Sequence, residues 1–236
     1  MKFALLGYGR MGKAIEQIAL KRGHEIVCKV DKNMSEGKLQ EADVAVNFSI
    51  PDAAVENITS ALDQAVPVIC GTTGWLDAFQ QVTQTARENN TAFLYASNFS
   101  VGVNLFFKLN KVLAQMMQPH KEYKISMEET HHIHKLDAPS GTAISLAEGI
   151  IENSDISHWK LDEEAKDSLS IQSLREGEVP GTHSIKYKSP IDDITIEHKA
   201  HNRKGFALGA VIAAEWIVGK NGVFKMDDVL NLESNE

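Results

Sequence analysis

The sequence predicts an α/β fold, in which a doubly wound parallel sheet is joined to a smaller α+β domain with a mixed or antiparallel sheet. Two observations support this prediction. Over the first hundred residues, short apolar runs alternate with amphipathic stretches, a pattern typical of parallel strands joined by crossover helices. After Asn98 a long apolar helix candidate is followed by strand-like runs with short connectors, which is typical of an antiparallel or mixed sheet.

The first domain is predicted over residues 1–99, with its strands in short apolar runs and its helices in longer periodic stretches. In chain order the strands are 2–6, 25–30, 44–48, 67–70 and 91–95, and the helices are 11–22, 51–65 and 75–88. Residues 31–43 are too few for the usual crossover helix. We expect a short helical turn or an irregular loop there.

The second domain is predicted over residues 100–203. Its elements are a helix at 100–117, a strand at 123–130, a helix at 140–151, and strands at 168–174, 183–187 and 194–200. A final apolar helix at 205–218 is expected to return to the first domain, which residues 204–236 therefore complete. Residues 153–166 are acidic and loop-like and receive no role.

The overall composition is that of an ordinary globular protein with an acidic balance. A formal net charge of −8 argues against a nucleic-acid partner, because such proteins normally carry a basic surface. The longest apolar stretch, 207–218, is too short to span a bilayer and contains Glu215. Cys28 and Cys70 lie in separate apolar runs, as expected for buried reduced thiols. We therefore expect a cytoplasmic protein with no membrane or nucleic-acid partner.

A glycine-rich loop directly follows the first strand and opens the first helix. In the G-x-G-x-x-G pattern, Gly7 allows a tight turn, Gly9 lets the backbone approach a pyrophosphate, and Gly12 permits close helix packing. The amides and dipole of a helix start also favour phosphate charge. We predict a Rossmann-type, dinucleotide-binding first domain. The predicted contacts of this loop are Gly7, Tyr8, Gly9, Arg10, Met11 and Gly12.

The end of the second predicted strand bears on the choice of cofactor. Asp31 follows Gly12 by nineteen positions, where a carboxylate accepts hydrogen bonds from the adenosine ribose. Asp31 would repel a 2′-phosphate, whereas Lys32 and Arg10 would attract one. NADH and NADPH both stay open, with NADH favoured.

Two further loops fall at the carboxyl ends of predicted strands, where ligands collect in open α/β sheets. Each loop alone is an ordinary turn, but together with the glycine loop they predict a cofactor cleft. The predicted contacts are Gly71, Thr72, Thr73, Ala96, Ser97, Asn98 and Phe99.

Three histidines, His131, His132 and His134, lie beside Lys135 and Asp137. One interpretation is a solvated polar loop, and a second is a zinc site. The zinc site is disfavoured because adjacent histidines diverge in an extended chain and the lysine repels a cation. The third interpretation is an anion site with an acid catalyst, since histidine suits proton transfer near neutral pH. We therefore predict no metal.

The residues after this cluster strengthen the third interpretation. Pro139 and Ser140 open a helix, and the amides of Gly141 and Thr142 lie at its start. A carboxylate there would meet amide donors and nearby cationic side chains. A dicarboxylate substrate fits this arrangement better than a neutral one.

Residues 129–143 resemble the E-x-H-H-x-x-K-x-D-A-P-S-G-T-A signature of the dihydrodipicolinate reductase family, also called 4-hydroxy-tetrahydrodipicolinate reductases. The resemblance extends along nearly the whole chain. It includes the glycine loop, residues 71–74, 98–103, 175–177, 181–183, 198–203 and 209–210. In two places the sequence departs from many members: the glycine loop is one residue shorter than G-x-x-G-R-M-G, and the region after the second strand is short.

The resemblance implies an activity and a role for each matching residue. It implies NAD(P)H-dependent reduction of 4-hydroxy-tetrahydrodipicolinate with loss of water, in the diaminopimelate route to lysine. His131 and Lys135 match the proton-transferring positions, and His132, Gly141 and Thr142 match the substrate-binding positions. The cofactor contacts named above match as well. The resemblance also implies a homotetramer assembled through the sheet of the second domain.

Two other functions were weighed against this one. Membership of another family of two-domain NAD-dependent dehydrogenases would explain Gly7–Gly12, but it would give no function to the segment from His131 to Lys135. A non-catalytic dinucleotide sensor would have no use for His131 and Lys135 beside a carboxylate-binding helix start. His134 receives no role in any of these interpretations.

Overall fold

A computed structural model describes residues 1–163, 167–202 and 204–232 of the chain. The chain divides into two compact units, Met1–Val101 with Lys204–Glu236, and Gly102–Arg203. Arg203, which is part of the family resemblance, lies outside the described residues, as do residues 164–166 of the acidic stretch and 233–236.

The structure contains strands and helices in both units. Numbered along the chain, the strands are β1 (Lys2–Leu6), β2 (Glu25–Asp31), β3 (Met34–Gly37), β4 (Val44–Asn47), β5 (Val68–Cys70), β6 (Ala92–Tyr95), β7 (Lys124–His131), β8 (His158–Leu161), β9 (Ser168–Arg175), β10 (Thr182–Lys188), β11 (Asp193–Lys199) and β12 (Gly222–Phe224). The helices are α1 (Arg10–Lys21), α2 (Pro51–Leu62), α3 (Phe79–Glu88), α4 (Val101–Met117), α5 (Gly141–Ile151), α6 (Lys204–Ile217) and α7 (Met226–Val229).

The first unit is built on a seven-stranded sheet with the order β12-β6-β5-β4-β1-β2-β3. All its neighbouring strands are parallel except β2 and β3. Alternate residues of β1 enter different cores: Phe3 packs in one cluster with α1 and α6, and Leu6 in the other with α2 and α3. Helices therefore cover both faces of the sheet, and the predicted doubly wound fold is confirmed.

The expectation of a loop or helical turn at residues 31–43 is only partly correct. A 3-10 turn forms at Leu39–Glu41, but Met34–Gly37 pair with β2 as an antiparallel strand. Thirteen residues cannot cross the sheet, yet they are enough to reverse and pair with the strand just left. Gly37 permits this pairing, because a Cβ there would lie 1.8 Å from the carbonyl oxygen of Val27.

The second unit is built on a five-stranded mixed sheet with the order β11-β10-β7-β9-β8. Strand β10 runs antiparallel to β7 and β11, whereas β7, β9 and β8 are mutually parallel. The predicted mixed sheet is confirmed. The loop-like assignment of residues 153–166 is wrong for His158–Leu161, which form the edge strand β8. That strand has no fully buried residue, so its sequence lacks the apolar run that marks the others.

The core of the second unit lies between one face of the sheet and its helices. Met127, Ile171 and Ile185 from three adjacent strands pack with Leu146 of α5 and Phe106 of α4. In the described part of the chain, no helix combines the length and apolar character needed to cross a membrane.

Candidate active site

The glycine loop joins β1 to α1 in the first unit. Gly7 has φ +99°, and a Cβ there would lie 2.2 Å from the carbonyl oxygen of Phe48, so only glycine fits. A Cβ on Gly12 would lie 2.3 Å from the carbonyl oxygen of Gly7. By contrast, no atom lies within 4 Å of a Cβ on Gly9. Gly9 is also the N-cap of α1 and supplies no side chain to its amides. Open space therefore lies beside a helix start, which fits a pyrophosphate group.

The side chain of Tyr8 is held by two residues that sequence analysis did not single out. The Tyr8 hydroxyl donates a hydrogen bond to Glu16, and Lys29 Nζ lies 2.6 Å from Glu16 Oε1. The same ammonium lies 4.7 Å from the centre of the Tyr8 ring. The hydrogen bond to Glu16 is the largest of the effects that raise the pKa of Tyr8. These contacts fix the loop to α1 and β2.

Asp31 ends β2 at an exposed position, as its predicted ribose contact requires. Its Oδ1 accepts a hydrogen bond of 2.8 Å from the amide of Lys32. Arg10 is also exposed, at the first position of α1. Asp31, which would repel the 2′-phosphate of NADPH, is thus on the surface of the first unit. Lys32 and Arg10, which would attract that phosphate, are on the surface of the same unit.

The two loops after β5 and β6 divide into buried and exposed residues. Thr72 is buried, and its Oγ1 accepts a hydrogen bond of 2.9 Å from the amide of Ser49, so its side chain ties two loops together. Phe99 is 2% exposed and packs on Phe48 at 5.5 Å between ring centres. Thr73 and Ser97 are exposed. The predicted contacts of Thr72 and Phe99 stay predictions, but their side chains serve the core of the unit.

In the second unit, polar side chains gather at the carboxyl end of β7. Glu129 has no exposed surface, although it is a carboxylate. Its Oε1 accepts a hydrogen bond of 3.0 Å from the amide of Ser140 and another from the Ser173 hydroxyl. The opposite oxygen, Oε2, lies 3.3 Å from Nδ1 of His131, but the two atoms form no hydrogen bond with each other or with any other described residue. It also lies 3.6 Å from Nε2 of His183.

The ionisation of these buried groups follows from their neighbours. Burial by itself raises the pKa of Glu129, but the donors from two histidines and two serines outweigh it and hold that pKa far below its usual range. Burial lowers the pKa of His183 more strongly than Glu129 raises it. At neutral pH the site therefore contains a charged Glu129 and a neutral His183.

Lys135 lies in the loop between β7 and α5. Its Nζ is paired with the carboxylate of Asp137 at 2.7 and 2.8 Å, and this ammonium lowers the pKa of Asp137. Arg175, at the end of β9, holds the backbone of the same loop. Its guanidinium donates to the carbonyl oxygens of Lys135 at 3.3 Å and Asp137 at 2.6 Å, and lies 3.4 Å from Glu129 Oε1.

The start of α5 has the features of an anion site. Ser140 is its N-cap, and its Oγ accepts a hydrogen bond of 3.2 Å from the amide of Ala143. The next two residues are Gly141 and Thr142, whose amides precede the first possible partner within the helix. Ser140 Oγ also lies 3.2 Å from Nε2 of His183. The helix start is therefore tied to the same network as His131.

The remaining histidines of the segment differ in their surroundings. His132 is half-buried, and its ring lies 6.0 Å from that of His134. His134 is exposed and contacts Glu178 at 3.1 Å, which fits a surface position. The structure thus brings His131, Lys135 and the α5 start together around one loop.

Three residues that are distant in sequence, Glu129, His131 and His183, form a group that could hold a metal ion. One ligand atom each from Glu129, His131 and His183 lies within 4.8 Å of the others. The guanidinium of Arg175 lies beside the same carboxylate and disfavours a second cation there. The absence of a bound metal stays a prediction.

Two family models, both described as dihydrodipicolinate reductase, match the chain. The N-terminal model matches residues 1–99 and the C-terminal model matches residues 102–230. The chain belongs to the dihydrodipicolinate reductase family. The resemblance stated from the sequence is confirmed, and with it the class of NAD(P)H-dependent reductase.

Curated relatives of this family cover nearly the whole chain. A 4-hydroxy-tetrahydrodipicolinate reductase of Christiangramia forsetii is 52% identical over 234 residues, which is 98% of each chain. Another, of Methanoculleus marisnigri, is 36% identical over 209 residues, covering 86% of this chain and 81% of its own.

Solved structures agree with the fold. A dipicolinate-bound dihydrodipicolinate reductase of a Paenisporosarcina species has a TM-score of 0.80 at 24% identity, covering 95% of this chain and 97% of its own. An engineered D-amino acid dehydrogenase bound to NADP+ has a TM-score of 0.55 at 12% identity, covering 100% and 96%. The second likeness shows that the same fold is used by other dehydrogenases.

Glu129, Arg175 and His183 belong to the family resemblance, but the sequence alone assigns no role to them. A signal was nevertheless present. Strand alternation places Met127, Glu129 and His131 on one face of β7, and Met127 is plainly a core residue. Two polar side chains on an inward face predict a buried polar network.

Proposed function

We propose that this protein reduces 4-hydroxy-tetrahydrodipicolinate to tetrahydrodipicolinate, in the diaminopimelate route to lysine. One NAD(P)H and one proton are consumed, and one NAD(P)+ and one water are released. The observation that carries the proposal is the placement of His131 and the start of α5 on one buried carboxylate, Glu129. This joins an acid–base group to a carboxylate-binding helix start.

The reduced nicotinamide supplies the hydride, which is added to C4 of the ring. In the first unit, the glycine loop with Asp31 holds the dinucleotide, and the backbone around Gly71, Thr73 and Ser97 contacts its nicotinamide half. The open space beside Gly9 supports this assignment. Exposed Asp31 supports NADH as the favoured cofactor, with NADPH also accepted.

In the second unit, the substrate is a dicarboxylate held by His132, Gly141 and Thr142. Negative charge builds on the ring as hydride arrives, and a nearby acid must neutralise it. His131 and Lys135 supply that acid. Lys135 is paired with Asp137 before substrate binds, so a substrate carboxylate would compete with Asp137 for its ammonium.

We further propose a homotetramer that works in the cytoplasm and assembles through the sheet of the second unit. Exposed apolar side chains on and beside β11 support this, since Ile191 is 91% and Ile194 is 39% exposed. Sedimentation equilibrium tests the assembly, and a monomer at micromolar concentration would contradict it.

The activity is tested by following the nicotinamide absorbance of NADH with freshly prepared 4-hydroxy-tetrahydrodipicolinate. We expect oxidation that depends on this substrate. Lys135→Ala and His131→Ala should each lower kcat by roughly 10²- to 10⁴-fold, the usual effect of losing a general acid. The Kd of NADH should stay within about threefold, because neither residue belongs to the proposed cofactor site. Wild-type protein that oxidises no NADH above background would remove the proposal.

A further inference from the structure

Glu129 is the point at which the proton-transfer residue and the anion-binding helix start meet. It is fully buried in the middle of three strands, and its two oxygens serve different partners. Oε1 faces Ser140, Ser173 and Arg175, whereas Oε2 faces His131 and His183. Burial of a carboxylate is costly unless its partners compensate. A residue with only a packing role would not require this charge.

We propose that Glu129 is a positioning residue that sets the tautomer of His131 and the place of the α5 start at the same time. This inference rests on the proposed function, because it assigns His131 to proton transfer. Oε2 faces Nδ1 of His131 at 3.3 Å on the inner side, and Oε1 accepts a hydrogen bond from the amide of Ser140. The acid–base nitrogen and the carboxylate-binding amides then share one rigid support.

The tautomer follows from the charge of Glu129. A carboxylate accepts hydrogen bonds and cannot donate them, so the nitrogen of His131 that faces it carries a proton. This tautomer requires a small rotation of the ring that would bring Nδ1 into line with Oε2, since the two atoms are close but not hydrogen-bonded. The opposite nitrogen, Nε2, is then the one that takes up a proton and, from the resulting imidazolium, donates it to the substrate.

The space around Nε2 of His131 agrees with this orientation. Gly181 lies next to it, and a Cβ on Gly181 would approach Nε2 to 3.1 Å. His131 is only 7% exposed, and the missing side chain of Gly181 spares its Nε2 a close contact. The ring thus faces the carboxylate with Nδ1 and a glycine with Nε2.

His183 adds a second connection between the two halves of the network. Its Nε2 lies 3.2 Å from Ser140 Oγ and 3.6 Å from Glu129 Oε2. The titratable and charged groups around Glu129 are His131, His183, Arg175 and, through the neighbouring loop, Lys135 with Asp137. Because burial keeps His183 neutral, Glu129 remains the anion that faces His131.

The decisive variant is Glu129→Gln, which keeps the shape and removes the charge. The amide oxygen of glutamine still accepts from Ser140, but its amide nitrogen donates toward His131 and reverses the tautomer. The matched control is Glu128→Gln, because Glu128 is the preceding residue of β7 and is exposed on the opposite face; its assembly is compared with that of the wild type by sedimentation equilibrium, since the same sheet is proposed to join the subunits.

Two measurements, kcat and the Kd of dipicolinate, distinguish a positioning role of Glu129 from a general disruption of the structure. For Glu129→Gln we expect kcat to fall about 100-fold, while the Kd of dipicolinate, measured by calorimetry, changes less than about threefold. Glu129→Ala, which also removes the acceptor for Ser140, should weaken dipicolinate binding by about tenfold or more. Glu128→Gln should match the wild type in both. A kcat within threefold of wild type for Glu129→Gln, or equal losses of kcat and dipicolinate affinity, would overturn the inference.

A spectroscopic readout does not depend on turnover or on a variant of Glu129. In protein labelled with ¹⁵N-histidine, at a pH high enough for the imidazole of His131 to be neutral, Nδ1 of His131 should have the shift of a protonated nitrogen and Nε2 that of an unprotonated one; the signals are identified by their absence in His131→Ala. The reverse assignment in the wild type would contradict the inference even if the reductase activity is present. An inactive wild type with the expected tautomer would instead remove the proposed function alone. Loss of activity on dialysis against a chelator, restored by Zn²⁺, would make the trio a metal site and also overturn the inference.

Discussion

Two glycines of one loop should fail in different ways when each is replaced by alanine. A Cβ on Gly12 would lie 2.3 Å from the carbonyl oxygen of Gly7, which is more than about 1 Å inside van der Waals contact. The obstructing atom belongs to the backbone and cannot rotate away. Overpacking of this kind costs about 1–3 kcal/mol, and alanine in a helix returns up to about 1 kcal/mol. We expect Gly12→Ala to lower the free energy of unfolding by about 2 kcal/mol.

Gly9→Ala should leave stability unchanged and weaken cofactor binding. Apart from the two neighbouring residues, no atom lies within 4 Å of the new methyl group, and Gly9 has φ −75°, a negative value that alanine also adopts. The free energy of unfolding should therefore stay within about 0.5 kcal/mol of wild type. The methyl group would occupy the space proposed for the pyrophosphate, so we expect the Kd of NADH to rise tenfold or more, about 1.4 kcal/mol.

Urea unfolding and a fluorescence titration with NADH, done on both variants, test this pair. The reasoning fails if Gly12→Ala is as stable as wild type, because the contact with Gly7 would then not be tight. Normal NADH binding by Gly9→Ala would contradict the proposed cofactor site instead, because the loop would then not approach the phosphates.

Three further predictions follow from other parts of the site. The pKa of Glu129 is depressed in the folded protein, so its charge stabilises the fold above the usual carboxyl pKa, and this contribution is lost as the pH falls. The free energy of unfolding, measured by urea titration from about pH 6 to pH 3, should decline less steeply in Glu129→Gln than in Glu128→Gln; parallel curves would contradict this. Gly181→Ala places a methyl group 3.1 Å from Nε2 of His131 at a φ of +154°, which alanine rarely adopts, so kcat should fall about tenfold or more and the free energy of unfolding should also fall, with the Kd of NADH unchanged; a normal kcat would show that Nε2 is not the working nitrogen. Asp31→Asn removes the charge that repels a 2′-phosphate, so the ratio of kcat/KM for NADPH to that for NADH should rise about tenfold, and an unchanged ratio would place the adenosine ribose elsewhere.

Periodicity in the sequence predicted most of the fold, and its failures have physical causes. The strands of the first sheet are buried on both faces, so continuous apolar runs mark them clearly. Strand β3 has no such run, because it lies at the sheet edge with three exposed residues among four. Its pairing depends on Gly37 approaching the backbone of Val27, a long-range contact without a periodic signal.

In the candidate site, too, the sequence predicts contacts between residues that are close along the chain but not between residues that are far apart. The residues of 129–142 could be placed together from the sequence because they are consecutive. Arg175 and His183 could not, since β9 and β10 bring them in from more than forty residues away. The residue types in the sequence were enough to predict His131 as an acid. Only the register of the sheet shows that the carboxylate of Glu129 faces it.

The parallel pairing of β7 with β9 affects the order in which the second unit folds and becomes active. Their register sets Glu129 opposite Ser173 and His131 opposite Arg175, so the two carboxyl ends finish at the same edge. A parallel pair requires the whole intervening crossover to close first, and such long-range closure is slow compared with local hairpin formation. We therefore expect the proton-transfer site to be absent from partly folded forms of this unit and to form only when β9 has paired with β7. Recovery of catalysis during refolding would then report completion of the sheet, whereas helix content would return earlier.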